Sequence, residues 1–194
     1  MKEYLKKIRK SLKKELDKDR FEHTIGVMYT AGALAMAHGG DIEQAMLAGL
    51  LHDCAKCIPN DIKMAMCREN KIPLTKFEKE NPYLIHAKLG AFLAKRDYHV
   101  EDEEVCHAIA VHTTGAPNMN LLDKIVFVAD YIEPDRHKAA HLTDIRRIAF
   151  EDLDEAVLYI LEDTLTYLKK GEGSIDPTTQ ETYEFYCQKK GSEE

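Results

Sequence analysis

Leu50-Leu51-His52-Asp53-Cys54-Ala55-Lys56 sets a histidine and an aspartate side by side at the end of an apolar helical run that starts near Ile42. Both side chains can ligate a metal. Burying an imidazole and a carboxylate beside leucines is unfavourable unless something compensates them, and a cation would do so. The chain on either side can therefore be read for further ligands.

Upstream, Arg20-Phe21-Glu22-His23-Thr24 opens a helix whose apolar stripe runs through Val27, Ala31 and Leu34, and His23 lies one turn before Val27 on that stripe. His38-Gly39-Gly40-Asp41 then ends one helix and starts the next, with glycine for the C-cap and Asp41 for the N-cap. Residues 1 to about 19 read as a basic surface helix that turns Leu5, Ile8, Leu12 and Leu16 inward. Downstream, Ile58-Pro59-Asn60-Asp61 is a turn before a short helix over 61–70, and Asn81-Pro82 marks another boundary. His86 shares a face with Leu89, Gly90 and Leu93, and His112 shares one with Val105, Ala108 and Ile109. Leu122, Val126 and Asp130 form an i, i+4 row on a strongly apolar helix.

A long amphipathic helix is expected over about 151–169 and a last one over 178–188, with a fraying tail from Gly191. No strand pattern or repeat interrupts this series. The expected fold is all-α, a single compact bundle of about seven to nine helices. Residues 1–17 form an N-terminal helix packed on the domain, 18–170 the domain itself, and 171–194 a C-terminal connection and last helix.

The chain of 194 residues, 44% hydrophobic and 31% charged, suits one soluble globular domain. Its net charge of −7 argues against a general nucleic-acid or membrane-surface binder. No apolar run approaches the roughly 20 residues that span a bilayer, and the N-terminus lacks a signal-peptide pattern. Five cysteines, an odd count, point to reduced thiols and a cytoplasmic location. Cys54 and Cys57 form one CxxC, but neither a βαβ unit nor a second pair accompanies it, so a redox or zinc role is not favoured.

Taken singly, a histidine on an apolar stripe is ordinarily a hydrogen-bonded core residue. Here five helices each bring a candidate inward: His23, His52-Asp53, His86, His112 and Asp130. Four histidines and two carboxylates would need many separate partners, whereas two metal ions would satisfy them together. Imidazole and carboxylate without thiolate suit iron, manganese, zinc or similar ions. Six side chains are too many for one catalytic ion with an open position, and they suit two ions with one carboxylate between them. Such centres generate hydroxide near neutral pH and stabilise oxygens at phosphorus. His38, His99, His107, His137 and His141 are expected at the surface.

The order His23, His52-Asp53, His86, His112, Asp130 resembles the HD-domain phosphohydrolase superfamily, in its dinuclear form. His112-Thr113-Thr114-Gly115 and Ala129-Asp130-Tyr131-Ile132-Glu133-Pro134-Asp135-Arg136, with His52-Asp53-Cys54-Ala55-Lys56, look like the bacterial YqeK family. That family comprises HD-domain symmetrical diadenosine tetraphosphate hydrolases, which yield two ADP. The resemblance covers about residues 18 to 178. It implies a site with two metal ions, iron above manganese, zinc, cobalt or magnesium. His23, His52, Asp53, His86, His112 and Asp130 would be the ligands, with Asp53 bridging.

A dinucleoside polyphosphate or nucleoside diphosphate would lie beside them, and a homodimer is a family-level expectation. Asp53, Lys56 and Arg136 are assigned to the reaction. Arg20, His86 and Thr113 join them at the phosphates, and Gly173, Ser174 and Ile175 lie against the nucleotide. The alternative for Arg20, Lys56 and Arg136 is a solvated charge or surface ion pair. The chain departs from the family after Ile175-x-Pro177-x-Thr179, where Glu181-Thr182-Tyr183 replaces an Ala-Arg-Asn-like element. Two other readings remain: another HD-type nucleotidase or phosphodiesterase, and a non-catalytic nucleotide sensor. The complete ligand set argues against the sensor.

Overall fold

Asp17, Asp41, Asp102 and Asp152 each accept a backbone N–H of the first helical turn that follows them. Each satisfies donors that a helix start otherwise leaves unpaired. The structure, a computed structural model, describes residues 2–171 and 174–193. It is helical throughout: α1 (Lys2–Glu15), α2 (Lys18–His38), α3 (Ile42–Leu51), α4 (Asn60–Glu69), α5 (Lys76–Glu80), a 3-10 turn (Pro82–Ile85), α6 (His86–Arg96), α7 (Glu103–Val111), α8 (Leu121–Ile132), α9 (Leu142–Ile148), α10 (Leu153–Lys170) and α11 (Pro177–Glu193). None of the described helices is long and apolar enough to cross a membrane.

The count of eleven α-helices among the described residues exceeds the expected seven to nine. The extra elements are the short ones, where too few residues are present for a periodic stripe to show. Helix α5 rests on a capping box in which Thr75 and Glu78 exchange hydrogen bonds. Helix α9 turns Leu142, Ile145 and Ile148 inward. Helix α11 also runs past Gly191, where fraying was expected, and Ser192 Oγ donates to Gln188 O at 2.8 Å within it.

Helices α2, α3, α7 and α8 pack against one another at the centre. Val27, Ala31, Leu50, Leu51, Val105, Ile109, Val126 and Ile132 of these helices join one continuous core. Helix α1 closes one side, with Leu5, Ile8, Leu12 and Leu16 all buried as their spacing predicts. On the other side α10 lies against α8 and carries α11. Lys124 of α8 and Lys189 of α11 both pair with Asp154 of α10, which ties the three together.

The close approach of α2 to α3 depends on Gly49. A β-carbon there would lie 3.1 Å from both Met28 Cα and Val27 O. That contact brings the stripe carrying His23 against the end of the helix that delivers His52.

Candidate metal centre

His52 and His112 occupy equivalent places, each the C-terminal cap of its helix. The last carbonyls of a helix have no intrahelical donor. His52 Nδ1 donates to Gly49 O and His112 Nδ1 to Ile109 O, both at 2.7 Å. His86 opens α6 and donates from Nδ1 to Tyr83 O of the 3-10 turn, also at 2.7 Å. In each, the proton is fixed on Nδ1 and the Nε2 lone pair is turned to the centre.

All six expected ligands come together around Asp53, whose side chain is only 3% exposed. Its Oδ2 faces one half of the site, with His52 Nε2 at 3.5 Å and His23 Nε2 at 4.0 Å. His23 and His52 Nε2 are 3.3 Å apart, and Asp130 Oδ1 lies 3.0 Å from the first and 3.8 Å from the second. Asp53 Oδ1 faces the other half, with His86 Nε2 at 3.2 Å and His112 Nε2 at 3.6 Å. Those two nitrogens are 3.2 Å apart.

The donor set fits cations. Asp53 Oδ1 is buried and accepts no well-formed hydrogen bond among the described residues. Four Nε2 atoms and two carboxylates converge with few protons to share. Sets drawn from these residues, His23 with His52 and Asp130, and His52 with Asp53 and His112, are close enough to hold an ion. Oxygen and nitrogen donors without sulfur match borderline divalent metals.

The charges follow the same division. Burial would raise the Asp53 carboxyl, but His52, His112 and His86 hold it well below the usual carboxylate range. Asp130 behaves alike, with burial opposed by His23, His52 and Arg136, and is strongly lowered. Burial brings His86 down to about 4, against the pull of Asp53, so its ring is neutral at pH 7. Burial also acts on His23, yet Asp130 and Glu133 prevail and its pKa is raised.

Three cations stand at the open edge. Arg20 Nη1 is 2.7 Å from Asp53 Oδ2, Lys56 Nζ is 3.2 Å from His86 Nε2, and Arg136 Nη2 is 3.1 Å from Asp130 Oδ1. Their side chains are 31%, 34% and 39% exposed, whereas His52, His86 and His112 are essentially inaccessible. Arg136 Nε has no acceptor among the described residues. Thr113 Oγ1 lies 3.2 Å from His86 Nε2 and 3.1 Å from His112 Nε2.

Ser174 is exposed and Ile175 half-buried between α10 and α11, and neither hydrogen-bonds to the cluster. Gly173 lies outside the described residues. The divergent C-terminal element approaches the site from behind. Thr182 Cγ2 sits where a β-carbon on Gly115 would come within 2.9 Å, and Gly115 has φ +67, so α11 packs on the turn that follows His112 and Thr113.

The remaining histidines lie elsewhere. His99, His107, His137 and His141 are exposed and His38 is half-buried, donating from Nε2 to Ala149 O at 2.7 Å. Among the CxxC pair, Cys54 is buried beside Gly90 O while Cys57 is exposed beside Asp17. Both are free thiols.

Sequence reasoning missed Glu133, Gly26 and Arg146. Glu133 stood in the quoted Ala129–Arg136 block without a role, yet its buried carboxylate accepts from His23 Nδ1 at 3.1 Å. Gly26 makes room for it, since a β-carbon there would lie 2.6 Å from Glu133 Oε2. Arg146 of the unforeseen α9 donates to Ile132 O, Glu133 O and Arg136 O at 2.8–3.0 Å and so pins the end of α8. The available signals for Glu133 were its place in the Ala129–Arg136 block and its position three residues after Asp130.

Comparison with known proteins agrees with this arrangement. The HD domain model matches residues 20–135. The symmetrical bis(5′-nucleosyl)-tetraphosphatase of Bacillus subtilis is 38% identical over 172 residues, covering 89% of this chain and 91% of its own. The protein of the same name from Halalkalibacterium halodurans is 41% identical over the same shares. A crystal structure from Clostridium acetobutylicum, described as a "predicted HD superfamily hydrolase involved in NAD metabolism", superposes with a TM-score of 0.91 at 38% identity. It covers 95% of this chain and 97% of that one.

Proposed function

The chain belongs to the HD-domain family, and from that premise we propose that it is a metal-dependent phosphohydrolase cutting diadenosine tetraphosphate and related dinucleoside polyphosphates symmetrically into two ADP. The observation that carries this reading is the division of Asp53. One carboxylate oxygen faces His23 and His52 and the other faces His86 and His112, as a carboxylate between two ions would. His23, His52, Asp53, His86, His112 and Asp130 are the proposed ligands, and iron is the proposed metal. Bound ions would supply an activated water and draw charge from the oxygens of the phosphorus under attack.

The protein's own groups bind and orient the substrate. Arg20, Lys56 and Arg136 carry as much positive charge as Asp53, Asp130 and Glu133 carry negative charge. The charge of the ions is thus left to meet a polyphosphate. The three cations are the exposed part of the site, so phosphates approach from their side while the buried imidazoles form a dry floor. Low dielectric at that floor strengthens each charge-assisted contact. Thr113 offers a hydroxyl donor beside the same oxygens. We assign Ser174 and Ile175, with Gly173, to the nucleotide end on family resemblance, and we place the protein in the cytoplasm.

Chromatography of products from a nucleotide panel tests the reaction. ADP as the main product from diadenosine tetraphosphate supports it. ATP with AMP, or efficient dephosphorylation of a mononucleotide without cleavage of the dinucleotide, would overturn it. Asp53→Ala should lose both turnover and bound metal, and a fully metallated, active variant would refute the bridging role.

A further inference from the structure

Three of the four histidines at the centre are oriented by the backbone. His52, His86 and His112 each donate to the carbonyl three residues earlier, at a place where the helix ends or has not begun. His23 cannot do this. It sits inside α2 (Lys18–His38), where the neighbouring carbonyls already accept backbone N–H groups. Its Nδ1 proton goes instead to Glu133 Oε1, on the cap of α8, at 3.1 Å.

Glu133 is built into that position. It is buried, its Oε2 accepts the Asp135 amide at 2.8 Å, and Arg146 holds its own carbonyl at 2.8 Å. Gly26, one turn after Glu22 on α2, leaves room for that carboxylate, since a β-carbon there would lie 2.6 Å from Glu133 Oε2. A carboxylate is a stronger acceptor than a carbonyl, so it fixes the ring more firmly and makes Nε2 a stronger donor to a metal.

The two halves of the site differ in a second respect. The His23 and His52 half holds Asp130. The His86 and His112 half holds the Lys56 ammonium and the Thr113 hydroxyl instead. The carboxylates other than Asp53 therefore lie on one side of it, where Arg136 pairs with Asp130 and Arg20 with Asp53 Oδ2, while the other half has no carboxylate of its own among the described residues.

We propose that Glu133 is a positioning residue that acts through His23 and makes the His23–His52–Asp130 half the tighter and first-filled of the two ion positions. This rests on the metal reading above. Titration of metal-free protein with cobalt(II), read by visible absorption, tests it independently of turnover. The wild type should fill in two resolved steps. Glu133→Ala should weaken the tighter step by about 10- to 100-fold and leave the weaker one in place. Glu133→Gln should fall between, because its amide NH2 must face either the His23 proton or the Asp135 amide.

Gly26→Ala keeps the charge but displaces it, and should weaken the same step. In a His23→Ala background, adding Glu133→Ala should change cobalt affinity no further. A tighter step left unchanged in Glu133→Ala, or both steps weakened equally alongside a lower melting temperature of the metal-free protein, would overturn the proposal while leaving the metal reading intact. A wild type that takes up no cobalt would overturn both.

Discussion

Gly49 serves His52 in two ways at once. Its carbonyl accepts the His52 Nδ1 proton at 2.7 Å, and its missing side chain lets the backbone of α2 lie against α3. The first fixes the direction of a ligand and the second fixes its distance from His23. Gly49→Ala would place a methyl 3.1 Å from Val27 O and Met28 Cα, neither of which can swing aside. Overpacking of this kind costs about 1–3 kcal/mol, against a helix-propensity gain of about 1 kcal/mol. The net cost is up to about 2 kcal/mol, so melting should occur lower by up to roughly 8 °C, at about 2–4 °C per kcal/mol for a chain of this size. Metal affinity should drop with it. A variant with wild-type melting and wild-type metal content would show that α2 and α3 separate without consequence for the site.

How much of this was legible beforehand follows from where each residue sits. His52, His86 and His112 could be read because each continues an apolar stripe to a helix end. The order of six ligands then suggested the family. Gly49, Gly26 and Glu133 could not be read, because their importance lies in contacts between α2 and α3 or between α2 and α8. No local period encodes such a contact. Helix α9 escaped for a different reason: seven residues hold barely two turns, and the service of Arg146 to the end of α8 depends on tertiary placement alone. The CxxC pair shows the converse, a pattern visible in sequence whose two thiols turn to different surroundings.

The exposed cations give a second prediction. Arg20→Ala, Lys56→Ala and Arg136→Ala each remove one charge from the mouth of the site while leaving the six proposed ligands. Losing a charge-assisted bond to an anion costs about 1.5–3 kcal/mol, so kcat/KM should fall by roughly 10- to 150-fold in each variant. Metal content, measured by elemental analysis, should remain at the wild-type level. Wild-type kinetics in all three would return these residues to the role of surface ion pairs.

Acid sensitivity of the C-terminal helix gives a third. Burial would raise the Asp154 carboxyl, but Lys124 and Lys189 prevail and lower it. A carboxyl depressed in the folded state contributes stability above its unfolded value, near 3.9, and loses that contribution as pH falls through the folded value. Each pair is part-exposed and contributes up to about 1 kcal/mol. Asp154→Asn should therefore be less stable than wild type at pH 7 by up to about 2 kcal/mol in urea unfolding. The gap should close as the pH drops below 4 and the wild-type carboxyl is itself protonated. A gap of the same size at pH 3 would mean that shape rather than charge ties α8, α10 and α11.

Thr113 decides between two routes at phosphorus. Its hydroxyl is a neutral oxygen nucleophile beside the cluster, at 3.1 Å from His112 Nε2 and 3.2 Å from His86 Nε2. Covalent attack would require one of those imidazoles to take its proton. Both are proposed metal ligands, and their other nitrogens are already committed to Ile109 O and Tyr83 O. Neither then has a lone pair free to act as base. On the proposed reading Thr113 is left as a hydrogen-bond donor and water is the attacking group. Thr113→Val keeps the shape and deletes that donor. Loss of one neutral hydrogen bond is about 0.5–1.5 kcal/mol, so kcat/KM should fall by roughly 2- to 13-fold. Inversion of configuration at a chiral phosphorus should accompany a single displacement by water. Collapse of Thr113→Val to the uncatalysed rate, together with retention of configuration, would make Thr113 the nucleophile and discard direct attack.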